Sequence, residues 1–266
     1  MTGPLPDPAQ IVSAARLVAA CRHGVALTGA GISTESGLPD FRSRDGLWQK
    51  LDPMRVATLT AFHRTPEVFY EFYRERLALL RHARPNPAHL ALAYLQRIGR
   101  LRTIITQNVD GLHQAAGAAD VVEVHGNLRE AVCVSCRTVV SIRVLEDQLD
   151  AGTLPTCWRC NGKLKPNVVL FEEMLPPDAY QAAEEACRRC DLLVVVGSSL
   201  QVTPVSFLPG VAAAHGAALL IVNAEPTPAD AEARVVLRGQ AGSIRPALVE
   251  RVEACPAKGF PGFGPN

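Results

Sequence analysis

The stretch Gly24-Val25-Ala26-Leu27-Thr28-Gly29-Ala30-Gly31-Ile32-Ser33-Thr34-Glu35-Ser36-Gly37 sets the fold class. Positions 25–28 form a short apolar run without alternation, as in a parallel strand covered on both faces. An amphipathic helix is expected just before it, over 8–23, where Ile11, Ala15, Val18 and Ala19 recur at helical spacing. After the strand come glycines, which permit a tight turn and let backbone N–H groups approach a pyrophosphate. Helix, strand and glycine turn together resemble a dinucleotide-binding loop. The match to the dehydrogenase pattern is partial, because Thr34 stands at the third glycine position and no strand-end acid follows about 20 residues on. A turn needing positive φ would account for the same glycines, so this segment alone does not decide the ligand.

The strand pattern recurs downstream. Further apolar runs at 101–106, 121–124, 192–196 and 218–222 read as buried parallel strands, and 62–82, 87–98, 177–189 and 204–215 read as helices. Strands and helices alternate after residue 100, which predicts an α/β fold with a doubly wound parallel sheet. Two stretches break the alternation: a mostly helical excursion from about residue 46 and a cysteine-bearing segment at about 129–165. Both read as insertions forming a smaller lobe. The expected organisation is a large domain over 10–45, 100–128 and 166–254, with a lobe built from 46–99 and 129–165. A flexible Pro- and Gly-rich tail is expected over 255–266.

The chain has 266 residues, 48% hydrophobic and 20% charged, with net charge +1. Neither a disordered chain nor a nucleic-acid-seeking basic surface follows from that balance. No apolar run approaches the roughly 18 residues that span a bilayer, and the first ten residues lack a signal-peptide layout. A soluble cytoplasmic protein is expected, with a monomer favoured and the oligomeric state otherwise open. Of eight cysteines, six fall in Cys-x-x-Cys pairs. Cys133/Cys136 and Cys157/Cys160 have the spacing of a tetrahedral four-thiolate zinc site, in which no coordination position is left for water or substrate. The expected zinc is therefore structural, folding an insertion too small to fold alone. The third pair, Cys187 and Cys190, has no second pair nearby and reads as packing.

Polar residues gather at the carboxyl ends of the expected strands, where doubly wound sheets bind their ligands. Thr106-Gln107-Asn108-Val109-Asp110-Gly111-Leu112-His113 follows one strand and His125-Gly126 the next. Asn108, Asp110 and His125 can converge there, whereas His113 reads as structural. Gly197-Ser198-Ser199 and Asn223-Ala224-Glu225 follow two further strands and suit a ribose and adenine pocket.

These segments, together with Leu38-Pro39-Asp40-Phe41-Arg42, Leu200 and Pro226, resemble the sirtuin family of NAD-dependent protein deacylases. The resemblance runs from about residue 10 to 254 in family order. It implies a Rossmann-like large domain, a zinc-binding and helical lobe, and a cleft that takes NAD as co-substrate and an acyl-lysine protein or peptide. It further implies that the acyl oxygen attacks the nicotinamide ribose carbon as nicotinamide leaves, giving an imidate that collapses to free lysine and O-acyl-ADP-ribose. His125 then matches the general base, and Asn108 and Asp110 match residues that hold the ribose and the nicotinamide amide. Gln107 supports the ribose pocket, and Gly29, Ala30, Gly31 and Thr34 line the phosphates. Asp40, Phe41, Arg42 and Trp48 belong to a loop that folds over NAD. Gly197, Ser198 and Ser199 lie on the adenosine side, with Asn223, Ala224, Glu225 and Ala241 at the adenine end.

On the acyl side, Tyr73 and Arg76 share a helix face at i, i+3 and resemble the Tyr-x-x-Arg pair of sirtuins that remove succinyl or malonyl groups. A phenol and a guanidinium bind a carboxylate well, whereas plain acetyl offers nothing to pair with them. Val168 and Phe171 would line the acyl-lysine tunnel. Glu172 stands where the family usually has glycine, in the segment that pairs with the substrate peptide; it either favours basic peptides or lowers affinity by crowding. A hydride-transfer dehydrogenase with a zinc insertion leaves Gln107, Asn108, Asp110 and His125 without a joint purpose. A zinc-ribbon nucleic-acid module leaves most of the chain unexplained. The alternative that keeps the same cofactor site is a protein mono-ADP-ribosyltransferase.

Overall fold

The computed structural model describes residues 7–242 and 249–252; the end of the catalytic region at 254 and the tail over 255–266 lie outside the described residues. Helix starts are written into the sequence as a capping residue followed by proline, whose missing N–H costs nothing in the first turn. Asp7 precedes α1 (Pro8–Ala20), Asp52 precedes α2 (Pro53–Val56) and Asn86 precedes α5 (Pro87–Arg97), each side chain accepting a first-turn N–H. One helix is expected over 62–82. Instead α3 (Leu59–Arg64) and α4 (Pro66–His82) meet at Thr65, whose φ −133° and ψ 57° are not helical. Pro66 causes the break, because it supplies no N–H and bars the residue before it from helical geometry. The remaining helices are α6 (Leu112–Ala115), α7 (Ile142–Asp150), α8 (Pro177–Arg189) and α9 (Leu208–Ala214). Positions 204–207 do not join α9, which follows a 3₁₀ turn at Val205–Phe207.

The strands form two sheets. The first contains β1 (Gly24–Thr28), β2 (Leu101–Thr106) and β3 (Val121–Glu123). The second, three-stranded and antiparallel, contains β4 (Gly126–Cys133), β5 (Val139–Ser141) and β6 (Leu164–Val168). The chain then returns to the first sheet for β7 (Leu192–Val196), β8 (Ala218–Asn223) and β9 (Val235–Arg238). The large sheet has the order β3-β2-β1-β7-β8-β9, parallel throughout. The strand order reverses between β1 and β7, so the crevice of a doubly wound sheet opens beyond Thr28 and Val196, which are register partners.

Alternation along the strands serves two cores at once. Ala26, Ile104, Val194, Val196, Leu220 and Val222 pack with α1 and α5 on one face. Val25, Leu27, Ile105, Leu193, Val195 and Ile221 pack with α8 and α9 on the other. Cys187 and Cys190 are buried in this second core, which explains them as packing; desolvation pushes both thiols up to about 12. A third core unites the two insertions: Phe62, Phe69, Phe72 and Leu77 of the helices pack against Leu128, Leu145 and Leu164 of the cysteine-bearing module. The Tyr70 hydroxyl donates to the Leu164 carbonyl at 2.7 Å across that junction. Among the described residues no helix is long and apolar enough to cross a membrane.

Candidate active site

The glycine loop leaves β1 against the end of β7. Gly29 N–H donates to the Val196 carbonyl at 3.1 Å and Gly31 N–H to the Gly197 carbonyl at 2.8 Å. A Cβ on Gly197, whose φ is +61°, would lie 2.2 Å from Ile32 N, so the two loops approach as only glycines allow. Gly197→Ala is accordingly expected to cost about 2–4 kcal/mol, the sum of a backbone clash and a left-handed φ. Chemical denaturation measures it; unaltered stability would mean that the loop yields without strain. The residues after Gly29 form a 3₁₀ helix, Ala30–Ser36, in which the Thr34 hydroxyl donates to the Gly31 carbonyl at 3.0 Å.

Strand ends bring the polar residues together around one cavity of about 710 Å³. Gln107 Nε2 donates to Ser198 Oγ at 2.9 Å, joining the ends of β2 and β7. The Asn108 amide donates to the Gly29 carbonyl at 3.2 Å and to Ser33 Oγ at 3.1 Å. Asp110 accepts from Ser33 Oγ at 2.7 Å and from Leu112 N–H at 2.9 Å. At the far end, Asn223 Nδ2 donates to the Glu225 carbonyl at 2.8 Å and shapes the turn containing Ala224. Ser199, Thr34 and Ala241 also line the cavity.

His125 Nδ1 lies 3.0 Å from the Gln107 carbonyl, which can only accept, so Nδ1 carries the proton. Nε2 is thereby left unprotonated, without a protein partner among the described residues, in a ring that lines the cavity. Burial lowers the imidazole pKa below its ordinary value, and the nearby Arg42 guanidinium adds to that, against the Gln107 hydrogen bond. A neutral base near pH 7 results. His113 is 1% exposed, shares a hydrogen bond of 2.9 Å between its Nε2 and Thr28 Oγ1, and has its pKa pushed by burial to about 3. It ties α6 to the end of β1 as a structural residue, while Thr28 Oγ1 donates to Thr106 Oγ1 at 2.8 Å and joins the ends of β1 and β2.

The other wall is aromatic. Phe41 and Trp48 have ring centroids 5.0 Å apart, and Trp48 lies 6.1 Å from Phe72 and 6.3 Å from Phe171. The loop between them is closed by Asp40, which accepts from Ser43 N–H at 3.0 Å. Arg76 is half-buried, its guanidinium carbon 4.9 Å from the Phe41 centroid and 5.5 Å from that of Phe72, with no ion pair or hydrogen bond among the described residues. Tyr73 is 6% exposed beside it, and burial raises its hydroxyl pKa, keeping it a neutral donor. Val168 and Phe171 line the same cavity.

Some residues of the site were not legible as such. His89 Nδ1 accepts from Asn86 N–H at 3.4 Å, which leaves Nε2–H facing Ser33 Oγ at 3.4 Å, and Ser33 in turn donates to Asp110. The sequence signal was the capping pattern Asn86-x-x-His89. Lys165 is 6% exposed, donates to the Val168 carbonyl at 2.9 Å and pairs with Glu173, whose carboxylate also accepts Leu170 N–H at 2.9 Å. The pair holds the 168–173 segment from beneath.

The four cysteines of the insertion stand apart from the cavity, with all four sulfurs within 4.8 Å of one another. Cys133 and Cys160 Sγ are 3.5 Å apart, and Cys136 and Cys157 Sγ are 3.8 Å apart. A tetrahedron with Zn–S of about 2.3 Å has edges of about 3.8 Å, so the set fits zinc with four thiolates.

Comparison with known proteins follows the same lines. The profile of the Sir2 family matches residues 29–204. The chain is 44% identical over 245 residues to NAD-dependent protein deacylase 2 of Archaeoglobus fulgidus, covering 92% of this chain and 96% of that one. It superposes with TM-score 0.88, at 43% identity, on a solved structure described as "Structural Basis for the Mechanism and Regulation of Sir2 Enzymes", covering 93% of this chain and 99% of that one. A second, described as "Sir2-p53 peptide-NAD+", gives TM-score 0.83 at 37% identity and covers 90% and 97% of the two chains.

Proposed function

The chain belongs to the Sir2 family and is an NAD-dependent protein-lysine deacylase, and on that premise we propose which residues perform the reaction and which acyl groups it removes. The carrying observation is the His125 ring, fixed by the Gln107 carbonyl with Nε2 free toward the cavity at the strand-order reversal. His125 Nε2 takes a proton from a ribose hydroxyl of NAD, making that oxygen a nucleophile toward the acyl carbon. Asn108 and Asp110, cross-braced through Ser33, orient the ribose and the nicotinamide amide. Gly29, Ala30, Gly31 and Thr34 line the phosphates, and Gly197, Ser198 and Ser199 admit the adenosine. Asn223, Ala224, Glu225 and Ala241 border its far end. The Asp40–Trp48 loop excludes water from the reacting centre, and one structural zinc on Cys133, Cys136, Cys157 and Cys160 holds the lobe that closes the cleft. Acylated protein or peptide is the partner, with its lysine entering past Val168 and Phe171.

The acyl preference extends to acidic groups. A half-buried guanidinium that makes no ion pair or hydrogen bond among the described residues, with the Asp110 carboxylate acting on it only through space, stands beside a neutral phenol and suits a carboxylate carried in by the substrate. Arg76→Met is expected to lower the ratio of desuccinylation to deacetylation by about 10- to 100-fold, the loss of a charge-assisted hydrogen bond. Competing acetyl- and succinyl-lysine peptides of one sequence measure that ratio directly. An unchanged ratio would remove Arg76 from the acyl site.

A further inference from the structure

Glu172 has φ +75°, a left-handed conformation that an ordinary side chain enters at a cost, and glycine would hold it freely. Bonds to the helical module offset that cost. Residue 171 bridges Thr58 as a single parallel β-bridge: Phe171 N–H donates to the Ala57 carbonyl at 3.0 Å, and Leu59 N–H donates to the Phe171 carbonyl at 3.1 Å. The Glu172 carboxylate continues this contact by accepting the Thr60 N–H at 2.8 Å, and it makes no ion pair among the described residues. The segment 168–173 is thus held by the Lys165–Glu173 pair from the cysteine-bearing module, by Val169 N–H on the His125 carbonyl at 2.9 Å, and by Phe171 and Glu172 on the helical module.

We propose that Glu172 is a positioning residue, whose bond to the Thr60 amide latches the peptide-binding segment onto the helical module and so sets peptide affinity rather than the chemical step. The inference rests on the deacylase reading, in which 168–173 receives the substrate peptide. It replaces both roles expected from sequence, because the carboxylate is directed at a backbone amide of its own chain. Alanine at this position would keep most of the strain and lose the bond, whereas glutamine keeps an acceptor oxygen.

The test is steady-state kinetics on acetyl-lysine peptides with basic, neutral or acidic flanking residues at saturating NAD. Glu172→Ala is expected to raise the peptide KM about fivefold with all three peptides, in the range of a lost capping bond, with little change in kcat. Glu172→Gln is expected to restore most of that KM. If Glu172→Gln is as impaired as Glu172→Ala and the loss is confined to basic peptides, the carboxylate reads peptide charge and the latch is wrong. A peptide KM unchanged in Glu172→Ala overturns it too. If the wild type deacylates no peptide, the deacylase reading fails instead. Amide exchange at 57–60 then decides the latch alone, with faster exchange in Glu172→Ala supporting it and unchanged exchange refuting it.

Discussion

Replacing His125 by alanine is expected to lower the turnover of acyl peptide by about 10²–10⁴-fold, the usual contribution of a positioned general base, while NAD binding stays within a few fold. The ring makes one hydrogen bond among the described residues, Nδ1–H to the Gln107 carbonyl, and that carbonyl can be solvated in the enlarged cavity, so the strand ends need not move. The same geometry gives a pH profile. The base works only as the neutral imidazole, and burial lowers its pKa below 6.5 in the free enzyme, so the acid limb of kcat/KM against pH should fall below that value, with a plateau through neutrality. In His125→Ala that limb should vanish along with the rate. A limb centred above pH 7, or an alanine variant at near wild-type turnover, would remove His125 from the proton transfer.

The second large effect concerns the cysteines. Cys133 and Cys157 are both fully buried within the core that unites the helical and cysteine-bearing modules. Zinc held by four thiolates contributes on the order of 10 kcal/mol or more to the folding of small modules near pH 7. No disulfide or independent core replaces it here, since all seven described cysteines are free thiols and the module's apolar residues pack onto the helices. Cys157→Ser should therefore lose the stoichiometric zinc and the ordered lobe. Because Phe72, Tyr73, Val168 and Leu170 belong to that core and line the cavity, deacylation should fall by at least about 100-fold. The parallel sheet has cores of its own on both faces and should remain folded. Elemental analysis with far-UV circular dichroism checks this. A zinc-free variant with intact fold and activity would show that the metal is dispensable.

Strands with a continuous apolar run could be read directly: 192–196 appears in the structure with the same bounds, because all five residues are buried and nothing competes with the strand. The small sheet could not. β4 alternates only in part and begins at Gly126 with φ +76°, β5 is half-exposed, and β6 carries Pro166 and the buried Lys165, so each lacks the period that marks a strand. β9 is short and only partly buried at the sheet edge. In the site, Gln107, Asn108, Asp110 and His125 could be anticipated together because they follow consecutive strands of one sheet. Ser33–Asp110 and Glu172–Thr60 join residues 77 and 112 positions apart, and no local pattern announces such bonds. The strained φ of Glu172 was likewise invisible, though its place in a glycine position was the one available signal.

The most direct test of the deacylase chemistry is mass spectrometry of every product formed from one acetyl-lysine peptide and NAD. Nicotinamide, free-lysine peptide and O-acetyl-ADP-ribose in equal amounts are expected, because His125 activates a ribose hydroxyl toward the acyl carbon. NAD consumption with an intact acetyl peptide and ADP-ribose attached to protein would contradict it and assign the same cavity to transfer of the ribosyl group.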